Sequence, residues 1–246
     1  LSGCDFVQRL AAEPEARINE AFPLSPELQG ALGALSSMNA DAKKDRAAFD
    51  EELSAKLKLR ALTCGKGIKP GAFEGPTELR ARIGEPTCFN LQDSALAKWV
   101  GMRRTMMLLA KPPLRQIPKS APAFVVAPEP LSTAEAASQA GVVLLQTLNQ
   151  FQIVDLGTGK PILSESKSSN TTMGRLSPNG RVFLTFSGDL VRARDAETGA
   201  TLLELGAGAS RIALWVDKRT VLFGRGSQSP GKPVFLDLAT GAEVPV

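Results

Sequence analysis

The feature that most constrains the fold of this chain is a short element that recurs three times in its second half. The pattern Asp-x-x-Thr-Gly begins at Asp155, at Asp195 and at Asp237, so successive copies lie 40 and 42 residues apart. Each copy begins with an Asp that closes a strand-like run. A repeat of about 40 residues predicts stacked copies of one unit, because such a unit cannot bury its apolar face alone.

The residue types within this element predict a tight turn after each strand. An Asp side chain caps the turn by accepting hydrogen bonds from backbone N–H groups, and Gly adopts the positive φ that other residues avoid. We therefore expect three equivalent turns, formed by Asp155, Thr158 and Gly159, by Asp195, Thr198 and Gly199, and by Asp237, Thr240 and Gly241.

Further strand and turn signals lie between these copies. Strand-like runs occupy residues 142–145, 182–186 and 220–223, and Ser177-Pro178-Asn179-Gly180 is a hairpin signal. Four short strands in about 40 residues are typical of a propeller blade. The Asp-x-x-Thr-Gly and Ser-Pro-Asn-Gly segments resemble those of WD-repeat and quinoprotein-like β-propellers, over about residues 132–246. The resemblance implies antiparallel blades at about 132–168, 169–207 and 208–246.

The resemblance is incomplete in two respects. The Trp-Asp and Gly-His pairs of WD repeats are missing, and Trp215 alone does not make the tryptophan-docking pattern of quinoprotein blades. Closed propellers have about four to eight blades, whereas three blades leave two open sheet edges. Either the chain is the N-terminal part of a longer polypeptide, which we favour, or another chain completes the ring.

The first half of the chain, residues 5–111, is predicted to form an α-helical domain. Ser25-Pro26 provides a cap and a first helical residue, and Asn39 caps a second helix that extends to about Leu62. A short helix is expected over 78–83, and a last helix is expected from a cap at Asp93 to about Ala110.

Six prolines between Pro112 and Pro130 interrupt the helical pattern. Proline fixes φ and removes a backbone donor, so we expect residues 112–131 to form an extended linker. The predicted fold class is therefore a multidomain α+β chain, in which a helical domain precedes antiparallel propeller-type blades.

The N-terminal residues Leu1-Ser2-Gly3-Cys4 resemble a bacterial lipobox. The resemblance implies that residues 1–4 mark a lipid anchor and that the Cys4 thiol carries the lipid. In enterobacterial lipoproteins an acidic residue after the cysteine, such as Asp5, favours retention in the inner membrane, although an outer-membrane location stays open. The alternative is a chance match or an arbitrary chain boundary.

Two further cysteines, Cys64 and Cys88, lie in sequence that is typical of loops. In an oxidising periplasm they would form a disulfide, which fits an exported protein. In the cytosol they would instead be two unrelated thiols. Neither is expected to be a catalytic nucleophile, because the chain has no His to activate it.

The composition excludes several classes of function. Without His, the chain lacks Ser-His-Asp arrangements and His-ligated metals. We therefore expect no catalytic residues, metal or cofactor. No apolar run reaches the ~20 residues of a membrane-spanning helix. The net charge of +4 is spread along the chain and aromatic residues make up 5%, which does not favour nucleic acid as a partner.

These observations together predict a membrane-anchored lipoprotein on the periplasmic side of a bacterial membrane. It would act as a non-enzymatic scaffold for other envelope proteins, and its propeller loops would bind them. The arginines that could serve such an interface are Arg175, Arg181, Arg192, Arg194, Arg211, Arg219 and Arg225. The alternative is the N-terminal part of a larger propeller enzyme, quinoprotein-like or a hydrolase, whose catalytic residues lie outside this chain.

Overall fold

The structure is a computed structural model, and the chain divides into two compact units, Leu1–Val100 and Gly101–Val246. The residues that it describes are 15–38, 43–66, 75–83, 87–120, 130–167, 171–187, 190–206, 213–217, 219–225, 232–240 and 242–246.

The first half of the chain is helical, as predicted. The helical segments among the described residues are residues 15–21 (α1), Pro26–Met38 (α2), Lys43–Cys64 (α3), Pro76–Ile83 (α4) and Thr87–Ala110 (α5). None of the helices that the structure describes is both long and apolar enough to cross a membrane.

The start of α2 agrees with its sequence signal. The Ser25 hydroxyl accepts a 3.2 Å hydrogen bond from the backbone N–H of Leu28, which is the contact of an N-cap. The predicted cap at Asn39 lies outside the described residues.

The predicted cap at Asp93 is wrong. Helix α5 begins at Thr87, so Asp93 lies inside it. Its carboxylate instead pairs with Arg60 of α3, where Nε lies 2.5 Å from Oδ1 and Nη2 lies 3.2 Å from Oδ2. Arg60 is 2% exposed and also donates to Asn19. A buried guanidinium requires such a partner, and this requirement outweighs the local preference of Asp for a cap.

Each of the helices α1 to α5 contributes buried apolar side chains in the first unit. The Phe22 and Phe89 rings stack at 4.1 Å, and the Phe49 and Trp99 rings stack at 5.7 Å. The buried members of one cluster in this core are Ile18, Ala21, Ala61, Leu79 and Phe89.

The second unit contains three four-stranded antiparallel sheets that resemble propeller blades. In each sheet, strands that are consecutive in the chain are neighbours. Blade 1 comprises Leu131–Ala136 (β1), Val142–Thr147 (β2), Gln150–Asp155 (β3) and Pro161–Ser166 (β4); blade 2 comprises Thr171–Leu176 (β5), Val182–Ser187 (β6), Leu190–Asp195 (β7) and Thr201–Gly206 (β8); blade 3 comprises Ala213–Trp215 (β9), Thr220–Arg225 (β10), Lys232–Asp237 (β11) and Glu243–Pro245 (β12).

The blades stack in chain order, and each blade has two distinct faces. In an antiparallel sheet, directly opposite residues share a face. In blade 1, Leu144 and Ile153 lie directly opposite each other on the face that contacts blade 2. We call the face of a blade that is turned towards the next blade its leading face. The other side of each sheet is its trailing face. In blade 2 the trailing face carries Phe183, whose ring lies 6.4 Å from that of Phe151 in blade 1.

Candidate interaction surface

The three predicted turns have similar geometry. In blade 1 the Asp155 carboxylate accepts hydrogen bonds from the backbone N–H groups of Gly157 and Thr158, at 2.7 and 3.3 Å. Gly159 and Gly199 both adopt positive φ, 68° and 74°. Asp195 accepts from the N–H groups of Glu197 and Thr198, and Asp237 accepts from that of Ala239. Gly241 lies outside the described residues.

Each of these turns is also tied to the preceding hairpin of its own blade. The backbone N–H of the residue after the aspartate donates to the carbonyl of the residue just before the second strand of the blade. The pairs are Leu156 with Gly141, Ala196 with Arg181, and Leu238 with Arg219, at 2.8 to 3.0 Å. The turn residues therefore hold each blade together, and their polar groups are engaged within the fold.

The three blades differ at the residue just before their second strand. This residue is Gly141 in blade 1, whereas it is Arg181 in blade 2 and Arg219 in blade 3. In blade 1 a guanidinium comes from the proline-rich segment instead, and Arg115 Nε lies 3.5 Å from the Asp155 carboxylate. Arg219 lies 3.7 Å from Asp237 in the same way. In blade 2 Arg181 pairs with Glu197 of the turn. The N–H of Gly141 donates to the Arg115 carbonyl at 3.0 Å.

This position in blade 1 must be glycine for the segment to approach. A Cβ on Gly141 would lie 2.1 Å from the backbone oxygen of Gln116. Arg115 and Gln116, two residues of the predicted linker, thus pack on blade 1, and Arg115 supplies one of its charged groups.

Asn179 of the Ser-Pro-Asn-Gly turn has a role that its turn signal did not reveal. Its side-chain N–H₂ group donates to the carbonyls of Leu108, Leu109 and Lys111, at 3.0, 3.1 and 3.2 Å. These carbonyls lie at the C-terminus of α5, where backbone acceptors have no partner in the helix. Asn179 therefore caps α5 from blade 2.

A cleft of about 570 Å³ opens beside this cap. It is lined by residues 109–113, Gln139, Pro178 and Asn179. Its buried polar side chain is Asn179, which is already engaged by the helix, so the cleft offers little to orient a ligand.

Blades 1 and 2 are joined by a side chain that imitates backbone pairing. Gln146 is 2% exposed, and its amide both donates to the Gly174 carbonyl and accepts from the Gly174 N–H, each at 3.0 Å. A Cβ on Gly174 would lie 2.9 Å from Phe151. We call β5 the innermost strand of blade 2, because it contacts both of the other blades. It can lie against blade 1 because it carries glycine at position 174.

An ion pair also joins these two blades. Arg194 on the trailing face of blade 2 binds both carboxylate oxygens of Glu165 in β4, and its guanidinium lies 5.2 Å from the centre of the Phe183 ring. The same guanidinium donates to the Gly199 carbonyl at 2.7 Å. Arg194 is therefore engaged in packing between blades.

The structure pairs five of the seven predicted interface arginines with acidic side chains inside the second unit. Arg211 lies outside the described residues, and the side chain of Arg225 is not described. The five pairs are Arg175 with Glu135, Arg181 with Glu197, Arg192 with Glu204, Arg194 with Glu165, and Arg219 with Asp237.

Two acidic residues in the blades have shifted pKa values. Burial raises the pKa of Glu135, and Arg175, 3.6 Å away, offsets part of the rise. Hydrogen bonding lowers the pKa of Asp217, whose carboxylate accepts from the N–H groups of Arg219 and Thr220, both at 2.7 Å. Asp217 shapes the first turn of blade 3, and the sequence reasoning missed it because it belongs to no repeated motif.

The predicted pair of Cys64 and Cys88 forms a disulfide in the structure. The two Cα atoms are 5.7 Å apart, and the bond joins the end of α3 to the beginning of α5. Cys4, the predicted lipid attachment site, lies outside the described residues. Among the residues that the structure does describe, no cluster of three acidic or cysteine side chains is placed to hold a metal ion.

Among the residues that the structure describes, the leading face of blade 3 carries apolar side chains that are only partly covered. Leu222, Phe235 and Val244 lie directly opposite one another on β10, β11 and β12. Leu222 and Phe235 are half-buried, and Val244 is 57% exposed. These three side chains form an apolar row, which we call the blade 3 row.

The comparisons with known proteins give distant structural similarity to β-propellers. The sequence matches no protein-family model and no curated protein. Similar solved structures include Kluyveromyces lactis Hsv2, at 12% identity and a TM-score of 0.38 over 48% of this chain and 36% of that chain. The β-propeller domain of Myceliophteria thermophila Cps50 (Swd1) is 16% identical, with a TM-score of 0.38 over 51% of this chain and 39% of that one. BamB from Moraxella catarrhalis is 24% identical, with a TM-score of 0.31 over 43% and 33%. The chain thus spans between 34% and 39% of the first Hsv2 structures.

Proposed function

We propose that this chain is a non-enzymatic interaction scaffold, anchored by lipid on Cys4 to the periplasmic side of a bacterial membrane. Its partners are other envelope proteins. The observation that carries the scaffold role is the blade 3 row, a partly exposed apolar row, whereas five of the predicted interface arginines pair with acidic side chains of the blades. Such a surface suits protein binding, because contiguous exposed apolar residues mark interaction sites.

The proposed compartment is supported by the cysteines. The bond between Cys64 and Cys88 belongs in an oxidising environment, because the cytosol keeps thiols reduced. The lipobox-like residues before Cys4 agree with export, and Asp5 favours the inner membrane. A lipid-modified cysteine would hold the blades close to the membrane surface, where more than one acyl chain anchors a protein stably.

The intact mass of the protein purified from its native membranes tests the anchor. We expect a mass that corresponds to Cys4 as the N-terminal residue with acyl groups attached. A Cys4→Ser variant should appear in the soluble fraction, and a Cys64→Ser variant is the matched control that stays with the membrane. An unmodified Cys4 in the native protein, or membrane association that survives Cys4→Ser, would contradict the proposed anchor.

A further inference from the structure

Equivalent positions on the three leading faces carry apolar side chains in a row across the sheet. In blade 1 the row is Leu144, Ile153 and Leu163, which lie directly opposite one another in β2, β3 and β4. In blade 2 the row is Leu184, Ala193 and Leu203. In blade 3 it is Leu222, Phe235 and Val244.

The burial of these rows follows the stacking of the blades. Leu144 and Ile153 are completely buried, and both belong to the apolar cluster that Phe183 of blade 2 completes. In blade 2, Leu184 and Ala193 are 0% and 1% exposed, and its strand β5 lies beside β9 of blade 3. Each leading face is therefore buried where another blade follows it.

The blade 3 row retains the apolar chemistry of this interface without being buried. Val244 is 57% exposed, whereas Leu203 at the equivalent position of blade 2 is 3% exposed. The half-buried Leu222 and Phe235 and the exposed Val244 leave adjacent apolar surface in water, which is unfavourable. A row of this kind is stabilised once a matching surface covers it.

The existing interface shows which surface matches such a row. The trailing face of blade 2 places Gly174 on its innermost strand against Phe151, and it places the Phe183 ring in the apolar cluster. A second copy of this chain offers no such surface on blade 1. On the trailing face there, Leu145 and Val154 are already buried, at 6% and 1% exposure.

We propose that the blade 3 row docks a β-blade of a partner polypeptide, one with an apolar trailing face and a small residue on its innermost strand. This inference rests on the proposed scaffold function and names its class of partner. Its physical basis is the repetition of one interface. The equivalent rows of blades 1 and 2 each pack against the blade that follows them in this chain.

Site-specific photocrosslinking in the cells that produce the protein tests the proposal. Phe235 of the full chain is replaced by the photoreactive analogue p-benzoylphenylalanine, which preserves an aromatic ring at the row. Leu148, 82% exposed in the turn after β2 and away from the row, receives the same analogue as the matched control. After irradiation, mass spectrometry identifies the crosslinked peptide.

We expect a crosslink from position 235 to a β-strand of another polypeptide that forms blades. The control variant with the analogue at 148 should not give this crosslink. A Leu222→Asp change in the chain that carries the analogue at 235 should also abolish it, with the circular dichroism spectrum unchanged. Should Leu222→Asp unfold the blades, the same substitution at Val244, at the exposed edge, replaces it. Crosslinks only to a second copy, to a blade of the same polypeptide, to lipid or to a helical segment, or no crosslink from 235, would overturn the proposal.

The crosslinking is repeated with Cys4→Ser. A crosslink that persists in this soluble variant supports blade docking even if the lipid anchor is wrong. If the anchor is correct and the crosslink is absent, the scaffold must bind its partners through another surface.

Discussion

The side-chain amide of Gln146 forms two hydrogen bonds with the backbone of Gly174, and it thereby joins the second strand of blade 1 to the innermost strand of blade 2. Both bonds are 3.0 Å long, and both partners are buried. A side chain here satisfies a backbone N–H and a backbone C=O that water does not reach, which buried polar groups require.

We expect Gln146→Leu to destabilise the second unit by about 2–4 kcal/mol, because it leaves two buried backbone groups without partners. The midpoint and slope of urea unfolding measure this change. Gln139→Leu is the matched control, since the exposed Gln139 side chain makes no such contact, and it should shift the stability by less than about 0.5 kcal/mol. Equal effects of the two changes would contradict the role of the Gln146 amide.

Gly174 itself is expected to resist substitution. A methyl group at this position would lie 2.9 Å from the Phe151 ring, so Gly174→Ala should cost about 1–3 kcal/mol through overpacking. Replacing the Phe151 ring with the smaller leucine side chain, in a Gly174→Ala, Phe151→Leu double variant, should recover part of the lost stability. A double-mutant cycle measures this recovery. Simple additivity of the two changes would show that the methyl group does not meet Phe151.

The disulfide should be a large contributor to the stability of the first unit. It closes a loop with a sequence separation of 24 residues. Replacing both Cys64 and Cys88 with Ser should therefore lower the free energy of unfolding by roughly 3 kcal/mol. Adding reductant to the unmodified protein should give a similar loss and should leave the double variant unchanged. A reductant effect on that variant would assign the loss to something other than this bond.

The cap on α5 can be tested by changing one atom of Asn179. Asn179→Asp removes the donor and places negative charge beside the carbonyls of Leu108 and Leu109, at the negative end of the helix dipole. We expect Asn179→Asp to destabilise more than Asn179→Ala, which should itself cost about 1–3 kcal/mol. Thermal unfolding of the two variants gives the order, and the reverse order would exclude the cap.

The half-buried Glu135 predicts a pH dependence of a definite sign. Because burial raises its pKa in the folded state, the protonated carboxyl is favoured there. The stability that this group contributes is present at low pH and is lost as the pH rises through its folded pKa. Glu135→Gln should therefore gain stability relative to the unmodified protein between about pH 4 and about pH 7. A difference that is constant over this range would contradict a raised pKa.

Much of the fold was predictable because its signals are local in sequence. The spacing of Asp155, Asp195 and Asp237 predicts repeated units, and the strand runs between them predict the sheets that the structure contains. Ser25 caps α2 as expected because a cap depends on residues three positions away. For Cys64 and Cys88 the sequence left a disulfide and two unrelated thiols as alternatives, and the structure contains the disulfide.

The sequence by itself thus determined the order of helices and blades and the turns, since these depend on neighbours within a few residues. Only the tertiary structure decided what joins them. Asn179 reaches Leu108 over a separation of 71 residues, and Arg60 reaches Asp93 over 33. No local preference reports such contacts, because a buried polar group takes whichever partner the packing brings to it. The same reason explains why Arg115, a residue of the predicted linker, pairs with Asp155 of blade 1.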